Sequence, residues 1–250
     1  GTYEIKEGAP LKETLSLFAS GKEFHFSLTF VEGSRFEDWL KQLSSAPYLE
    51  RLTLEQSEAD LAQELGIENG KLEGWFLPET YAYTTHASDI SILRRAYQDM
   101  KTFLEASWEK RQANLPYKTP YEALIMASII EKETGQPDER AQIASVFVNR
   151  LRLGMKLQTD PTVIYGVKER YDGNIRRNDL TDVNPYNTYV IDGLPPTPIA
   201  MPGKASIEAA LNPKSTDYLY FVAKGGGAHY FSKTLDEHNR AVREYILKKP

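Results

Sequence analysis

Ala127-Ser128-Ile129-Ile130-Glu131-Lys132-Glu133-Thr134-Gly135 closes a largely apolar run that begins at Tyr121, and its reading decides the fold. Thr119 can cap a helix start, Pro120 suits the first helical position, and Glu122 completes a Thr-x-x-Glu capping box. The pattern predicts a helix over residues 121–134, with Gly135 as its left-handed exit. Leu124, Ile125, Met126, Ile129 and Ile130 leave that helix little polar surface, so it should lie buried among other elements. Two carboxylates then emerge from an apolar wall. Desolvation raises a carboxyl pKa, which suits a general acid that must hold its proton near neutral pH.

Residues two apart on a helix diverge by about 200°, so Glu131 and Glu133 cannot easily share that task. Glu133 continues the bulky stripe of Met126, Ile129 and Ile130, whose desolvation should raise its pKa. Glu131 follows Leu124, Ala127 and Ser128, a smaller and more mixed face. The pattern therefore prefers Glu133 as the acid, with Glu131 as the alternate or a supporting group. The competing reading makes both solvated last-turn residues.

Towards the C-terminus, residues 138–153 read as a second helix carrying Ile143, Val146, Phe147 and Leu151 inward and closed by Gly154. Asp160-Pro161 then opens a short helix, which would aim Gln158, Thr159 and Asp160 into the space beyond Glu133. Asp160 fits equally as a helix cap, whereas Gln158 and Thr159 have no such role and are the better binding candidates. Residues 170–203 contain prolines 185, 195, 196, 198 and 202 and little periodicity, the kind of long irregular segment that often carries function. Within it Tyr186, Asn187 and Thr188 offer a ring, an amide and a hydroxyl suited to a glycan. A hairpin over 218–223 and 229–232 follows, then a Thr234–Glu237 capping box and a final helix to about Lys248. His229 and His238 have no neighbour at metal-ligand spacing and read as structural.

The N-terminal part reads as strand (Thr2–Ile5), helix (Pro10–Phe18), strand (Glu23–Val31) and a helix capped by Ser34 that holds Phe36, Trp39, Leu40 and Leu43. Leu52, Leu54, Leu61 and Leu65 suggest one or two further helices in an acidic stretch. A boundary near residue 72 would divide the chain into a small α/β module, 1–72, and a mainly helical domain, 73–250, in an α+β whole. Glu73-Gly74-Trp75-Phe76-Leu77-Pro78-Glu79-Thr80-Tyr81-Ala82-Tyr83 concentrates four aromatics with two acids, either a sugar-binding strip that uses Glu79 and Tyr81 or a wedge between domains. Residues 89–110 form an ordinary amphipathic helix. The net charge of −5 argues against a nucleic-acid surface, and the lack of cysteine excludes disulfides and thiolate metal sites. No run approaches the ~20 apolar residues that span a bilayer.

Ile129 to Gly135, Ala144-Ser145-Val146-Phe147-Val148-Asn149-Arg150-Leu151, Gln158 to Gly166, Tyr186-Asn187-Thr188-Tyr189 and Gly193-Leu194-Pro195-Pro196, in that order, resemble the YceG-like (MltG) endolytic murein transglycosylases. The similarity covers essentially the whole chain. It implies a LysM-like module ahead of a lysozyme-like catalytic domain with a β-hairpin. It also implies cleavage of the MurNAc–GlcNAc β-1,4 bond of nascent peptidoglycan strands, leaving 1,6-anhydro ends and helping to terminate elongation. No metal or organic cofactor is expected, and the partners implied are glycan strands and peptidoglycan synthases. The resemblance also implies an N-terminal transmembrane anchor that would hold the enzyme at the periplasmic face of the bacterial inner membrane; the start at Gly1 in place of methionine suggests that an upstream segment has been removed. Two rivals stand beside this reading. One is a muramidase pairing Glu133 with Asp160 or Glu79, and the other is a non-catalytic glycan-binding scaffold.

Overall fold

The computed structural model describes residues 1–53 and 55–247, and the helix expected from Tyr121 lies at its centre. In chain order the first half holds α1 (Leu11–Ser20), β1 (Phe26–Thr29), α2 (Phe36–Ser45), α3 (Glu58–Leu65), β2 (Thr80–Tyr83) and α4 (Asp89–Glu109). The second half holds α5 (Pro120–Glu133), α6 (Arg140–Arg152), α7 (Asp160–Gly166), α8 (Lys204–Leu211), β3 (Tyr220–Gly225), β4 (Ala228–Ser232) and α9 (Leu235–Val242). Helices and two small antiparallel sheets make an α+β fold.

Two apolar cores lie along α4, whose 21 residues span about 31 Å. Ile92, Leu93 and Ala96 pack with Phe30, Trp39, Leu43, Leu61 and Phe76 in the first core. Met100 and Leu104, two turns on, pack with Leu124, Met126, Ile130, Phe147 and Ile207 in the second. Trp75 touches both cores and stacks on Tyr121 with 5.2 Å between ring centroids. Phe76, Tyr81 and Tyr83 of the same strip are buried in the first core. β1 pairs with β2, Phe26 opposite Tyr83 through Thr29 opposite Thr80, so the first core recruits residues well beyond position 72.

Local differences from the sequence pattern have local causes. Thr2–Ile5 forms no strand; its link to Phe24 is one backbone bond, Phe24 N–H to Thr2 O at 2.7 Å. Ser34 does not cap α2, because its hydroxyl donates to Val31 O and accepts from the Trp39 indole. α5 leaves through Thr134 in an extended conformation, with no left-handed Gly135. The Thr134 hydroxyl accepts the Gln136 N–H at 3.0 Å, so a side chain holds the exit that glycine was expected to provide. α9 passes into a π-helical turn, Arg243–Leu247. Leu54 and the expected helix end at Lys248 lie outside the described residues. No helix among the described residues is long and apolar enough to cross a membrane.

Glycine substitutions test these exits. Gly74 has φ +87°, and an added Cβ would stand 2.3 Å from Pro198 Cβ. Gly74→Ala should cost about 2–4 kcal/mol in urea denaturation, from left-handed strain plus overpacking against a rigid ring. Gly135→Ala, with open space and an ordinary φ, should change stability by less than ~1 kcal/mol.

Candidate active site

α5 delivers Glu133 to the edge of a cavity of about 430 Å³. Val146 and Phe147 of α6 and Leu157 supply its apolar lining. Met126, Ile129 and Ile130, expected to desolvate it, are buried along the same helix, and Val146, Phe147 and Leu157 share the cavity with the carboxyl. Among the described residues one protein group donates to the Glu133 carboxylate, the Thr159 hydroxyl, which bonds Oε1. Burial pushes the Glu133 carboxyl up to about 7; Thr159 opposes this, and the nearby Asp160 carboxylate adds to it. With Oε1 occupied as an acceptor, the proton resides on Oε2.

Thr159 is held as firmly as the acid it touches. It is buried at the start of α7, and its N–H donates to Thr188 Oγ1 at 3.0 Å. Thr188 Oγ1 lies 2.8 Å from Thr162 Oγ1, which donates to Thr159 O. Thr159 is the N-cap residue of α7, but its hydroxyl caps nothing because it serves Glu133. Asp160 is the first helical residue, and its carboxylate accepts the Tyr189 hydroxyl at 2.7 Å.

Glu131 faces elsewhere, as the 200° divergence requires. Its Oε2 accepts Gly203 N–H at 3.0 Å and Ser206 Oγ–H at 2.6 Å, so it closes the N-terminus of α8, where a negative charge is favoured. Lys132 reaches Gly33 O at 3.1 Å from an exposed position. The two acids are thus divided between holding the fold and lining a cavity.

The remaining candidates separate into three groups. Gln158 and Asp160 line the Glu133 cavity; Gln158 does so from a left-handed backbone, φ +50°, with Oε1 near the Arg150 guanidinium. Asn187 and Thr188 are fully buried: Asn187 bonds Asp179 O and Asp182 O, pinning the irregular loop, while Thr188 holds Thr159. Tyr186, Glu79 and Tyr81 lie away from this cavity. Tyr186 packs against Tyr165 beside a second cavity of about 470 Å³. There the buried Glu73, pushed up to about 7 by desolvation, accepts from Phe36 N–H and Tyr165 OH and joins the two cores. Glu79 pairs with Lys204 at 3.0 Å on the surface, and the Tyr81 hydroxyl donates to Leu77 O.

Arg150, Tyr189, Tyr220 and Asn239, not among the candidate site residues, and His238, read from the sequence as structural, also line the cavity. Arg150 is buried, donating to Leu219 O, Lys156 O and Leu157 O, so it ties α6 to β3 and to the turn before Thr159. A charged residue inside an otherwise apolar helical stripe was the available signal. His229, by contrast, bonds Glu139 through backbone and ring and is structural.

The cavity combines a carboxyl whose pKa is raised towards neutrality, a positioned hydroxyl donor, the Asp160 carboxylate and the Arg150 guanidinium, an arrangement suited to acid–base chemistry. Residues 1–244 match the YceG-like family, and the chain belongs to it. It is 34% identical over 268 residues to a protein of Bacillus subtilis (strain 168) named endolytic murein transglycosylase, covering 100% of this chain and 73% of that one. A Streptococcus pneumoniae serotype 2 protein of the same name is 32% identical over 185 residues, 72% of this chain and 33% of its own length. The crystal structure of a putative yceG-like protein from Listeria monocytogenes superposes with a TM-score of 0.67 at 32% identity, over 92% of this chain and 80% of that one.

A raised carboxyl pKa has a defined linkage sign. Folded Glu133 retains its proton above the ordinary value of 4.5, so its favourable contribution is complete below 4.5 and is lost as pH rises through about 7. Glu133→Gln removes that dependence and should make the protein more stable than wild type at pH 8, by an amount of order 2 kcal/mol, with the gap closing by pH 4. Urea titrations of both proteins at the two pH values check it.

Proposed function

We propose that this chain is an endolytic murein transglycosylase in which Glu133 is the single acid–base residue. The observation that carries the reading is a carboxyl at the edge of a cavity, pushed up to about 7 by burial, hydrogen-bonded among the described residues by Thr159 and supported by a separately held α7. Membership of a family whose relatives carry the name endolytic murein transglycosylase supports it.

The chemistry follows from the protonation state. Glu133 Oε2 gives its proton to the oxygen of the MurNAc–GlcNAc β-1,4 bond as the C1–O bond breaks. The resulting carboxylate then takes the proton from the C6 hydroxyl of the same MurNAc, whose oxygen bonds to C1 and closes the 1,6-anhydro ring. Glu133 ends protonated, as it began. Because the nucleophile belongs to the substrate, its proximity replaces a water activated by a second carboxylate. Thr159 stabilises the carboxylate formed in the first half-reaction, its hydrogen bond strengthening as charge develops. Gln158 and Asp160 are proposed to contact the glycan at the cavity edge. Residues 1–72 are proposed as a LysM-like glycan grip, and cleavage at the periplasmic face of the inner membrane, alongside peptidoglycan synthases, as the setting in which strand elongation is terminated.

Digestion of purified uncrosslinked glycan strands with mass analysis tests the reading. Glu133→Gln should lower the cleavage rate by roughly 10²–10⁴ while glycan binding persists. Glu131→Gln and Asp160→Asn should still release the anhydro product, lighter by one water than a hydrolysis product. A reducing-end product, or cleavage that survives Glu133→Gln, would count against this mechanism.

The same group sets the alkaline limb of the rate. The wild-type kcat/KM should fall about tenfold per pH unit above the Glu133 pKa near 7. Thr159→Val removes the interaction that lowers this pKa and should move the fall to higher pH. A fall unmoved in Thr159→Val would assign the limb to another group.

A further inference from the structure

The cavity has a second wall that the proton transfers leave unused. α9 turns Leu235, His238 and Asn239 towards it, positions i, i+3 and i+4 of one helix face, with Tyr220 of β3 beside them. Leu235 is 55% exposed, an apolar side chain left open to water at the rim. The His238 ring stacks on Tyr220 with centroids 5.2 Å apart and planes 24° from parallel, and the Arg150 guanidinium lies 5.0 Å from the same tyrosine ring. Stacking fixes the plane of the imidazole.

Hydrogen bonding fixes how the ring meets a ligand. His238 Nδ1 is closed off from solvent and has no partner among the described residues. An imidazolium would carry an N–H at that position with nothing to accept it, near the charge of Arg150. Burial first and Arg150 second lower the pKa of His238, so the ring is neutral at pH 7. Nε2 is then the ring nitrogen left to meet a ligand in the cavity, as a single donor or acceptor.

We infer that Leu235, His238 and Asn239 form a subsite for an N-acetylhexosamine unit beside the bond that Glu133 attacks, an inference that rests on the glycan-cleaving reading. An aliphatic side chain suits the C–H face of a pyranose. A neutral imidazole and an amide exchange hydrogen bonds with hydroxyl and N-acetyl groups without adding charge. His238 is therefore a substrate-positioning residue and takes no proton in the reaction.

Three variants test the subsite by chitotetraose binding in calorimetry, and by KM and kcat on uncrosslinked glycan strands. His238→Phe keeps the stack on Tyr220 and removes Nε2; it should weaken binding and raise KM roughly three- to tenfold, with the smaller effect on kcat. His238→Gln, which places an amide near the Nε2 position, should recover part of the loss. Leu235→Asp should weaken binding without involving the ring at all. Wild-type binding and KM in His238→Phe and Leu235→Asp would overturn the subsite while leaving cleavage by Glu133 intact. A loss in His238→Phe that tracks a lowered melting temperature and is not relieved by Gln would also overturn it, as a structural effect. Chitotetraose held through His238 by a protein that never cuts glycan would keep the subsite and remove the transglycosylase reading. A wild type that neither binds nor cuts would remove both.

Discussion

A carboxyl group on the last turn of a buried helix, given one hydroxyl donor, is the constraint on which the rest of the site depends. Glu133 cannot ionise cheaply there, because burial strips part of the water from its carboxyl and, among the described residues, Thr159 is the one group that bonds it. More donors would leave it an ordinary carboxylate, and none would leave it a permanent neutral acid. One hydrogen bond places it near the midpoint, where both directions of proton transfer are accessible at neutral pH.

Keeping that balance requires that Thr159 neither drift nor turn to its own helix. Three threonines achieve this. Thr188 receives the Thr159 N–H, Thr162 returns a bond to the Thr159 carbonyl, and the Thr162 and Thr188 hydroxyls meet. The loop carrying Thr188 is itself pinned by Asn187 to the carbonyls of Asp179 and Asp182. A long proline-rich segment with little regular structure thus becomes a support, since its polar residues are spent internally. Glu131 applies the same logic at the other side of α5, spending its charge on the start of α8 and so docking that helix against the second core.

The cavity is also an assembly product. Arg150 links α6 with β3 and the turn before Thr159 through backbone carbonyls, which sets how far the α9 wall stands from the Glu133 wall. Removing such a buried cation would leave several carbonyls unpaired, a cost of about 1–3 kcal/mol for each fully buried group.

Much of this was legible in the order of residues. The apolar run before Glu131 and Glu133 determines a buried helix by its lack of any polar face, and the two-residue spacing determines that the acids point apart. Caps and turns at Thr119, Gly154, Thr234 and Glu237 follow from local chemistry and need no partner from elsewhere. Tertiary structure decided what each acid meets. Which side chains share a cavity with Glu133, that Thr188 bonds Thr159 and Asn187 pins the loop, that residues 80–83 complete the first sheet, and that His238 reaches the cavity all depend on contacts between residues far apart in the chain. Periodicity reports which face of an element is buried; it carries no information about which distant element does the burying, and a pKa is set by that neighbour.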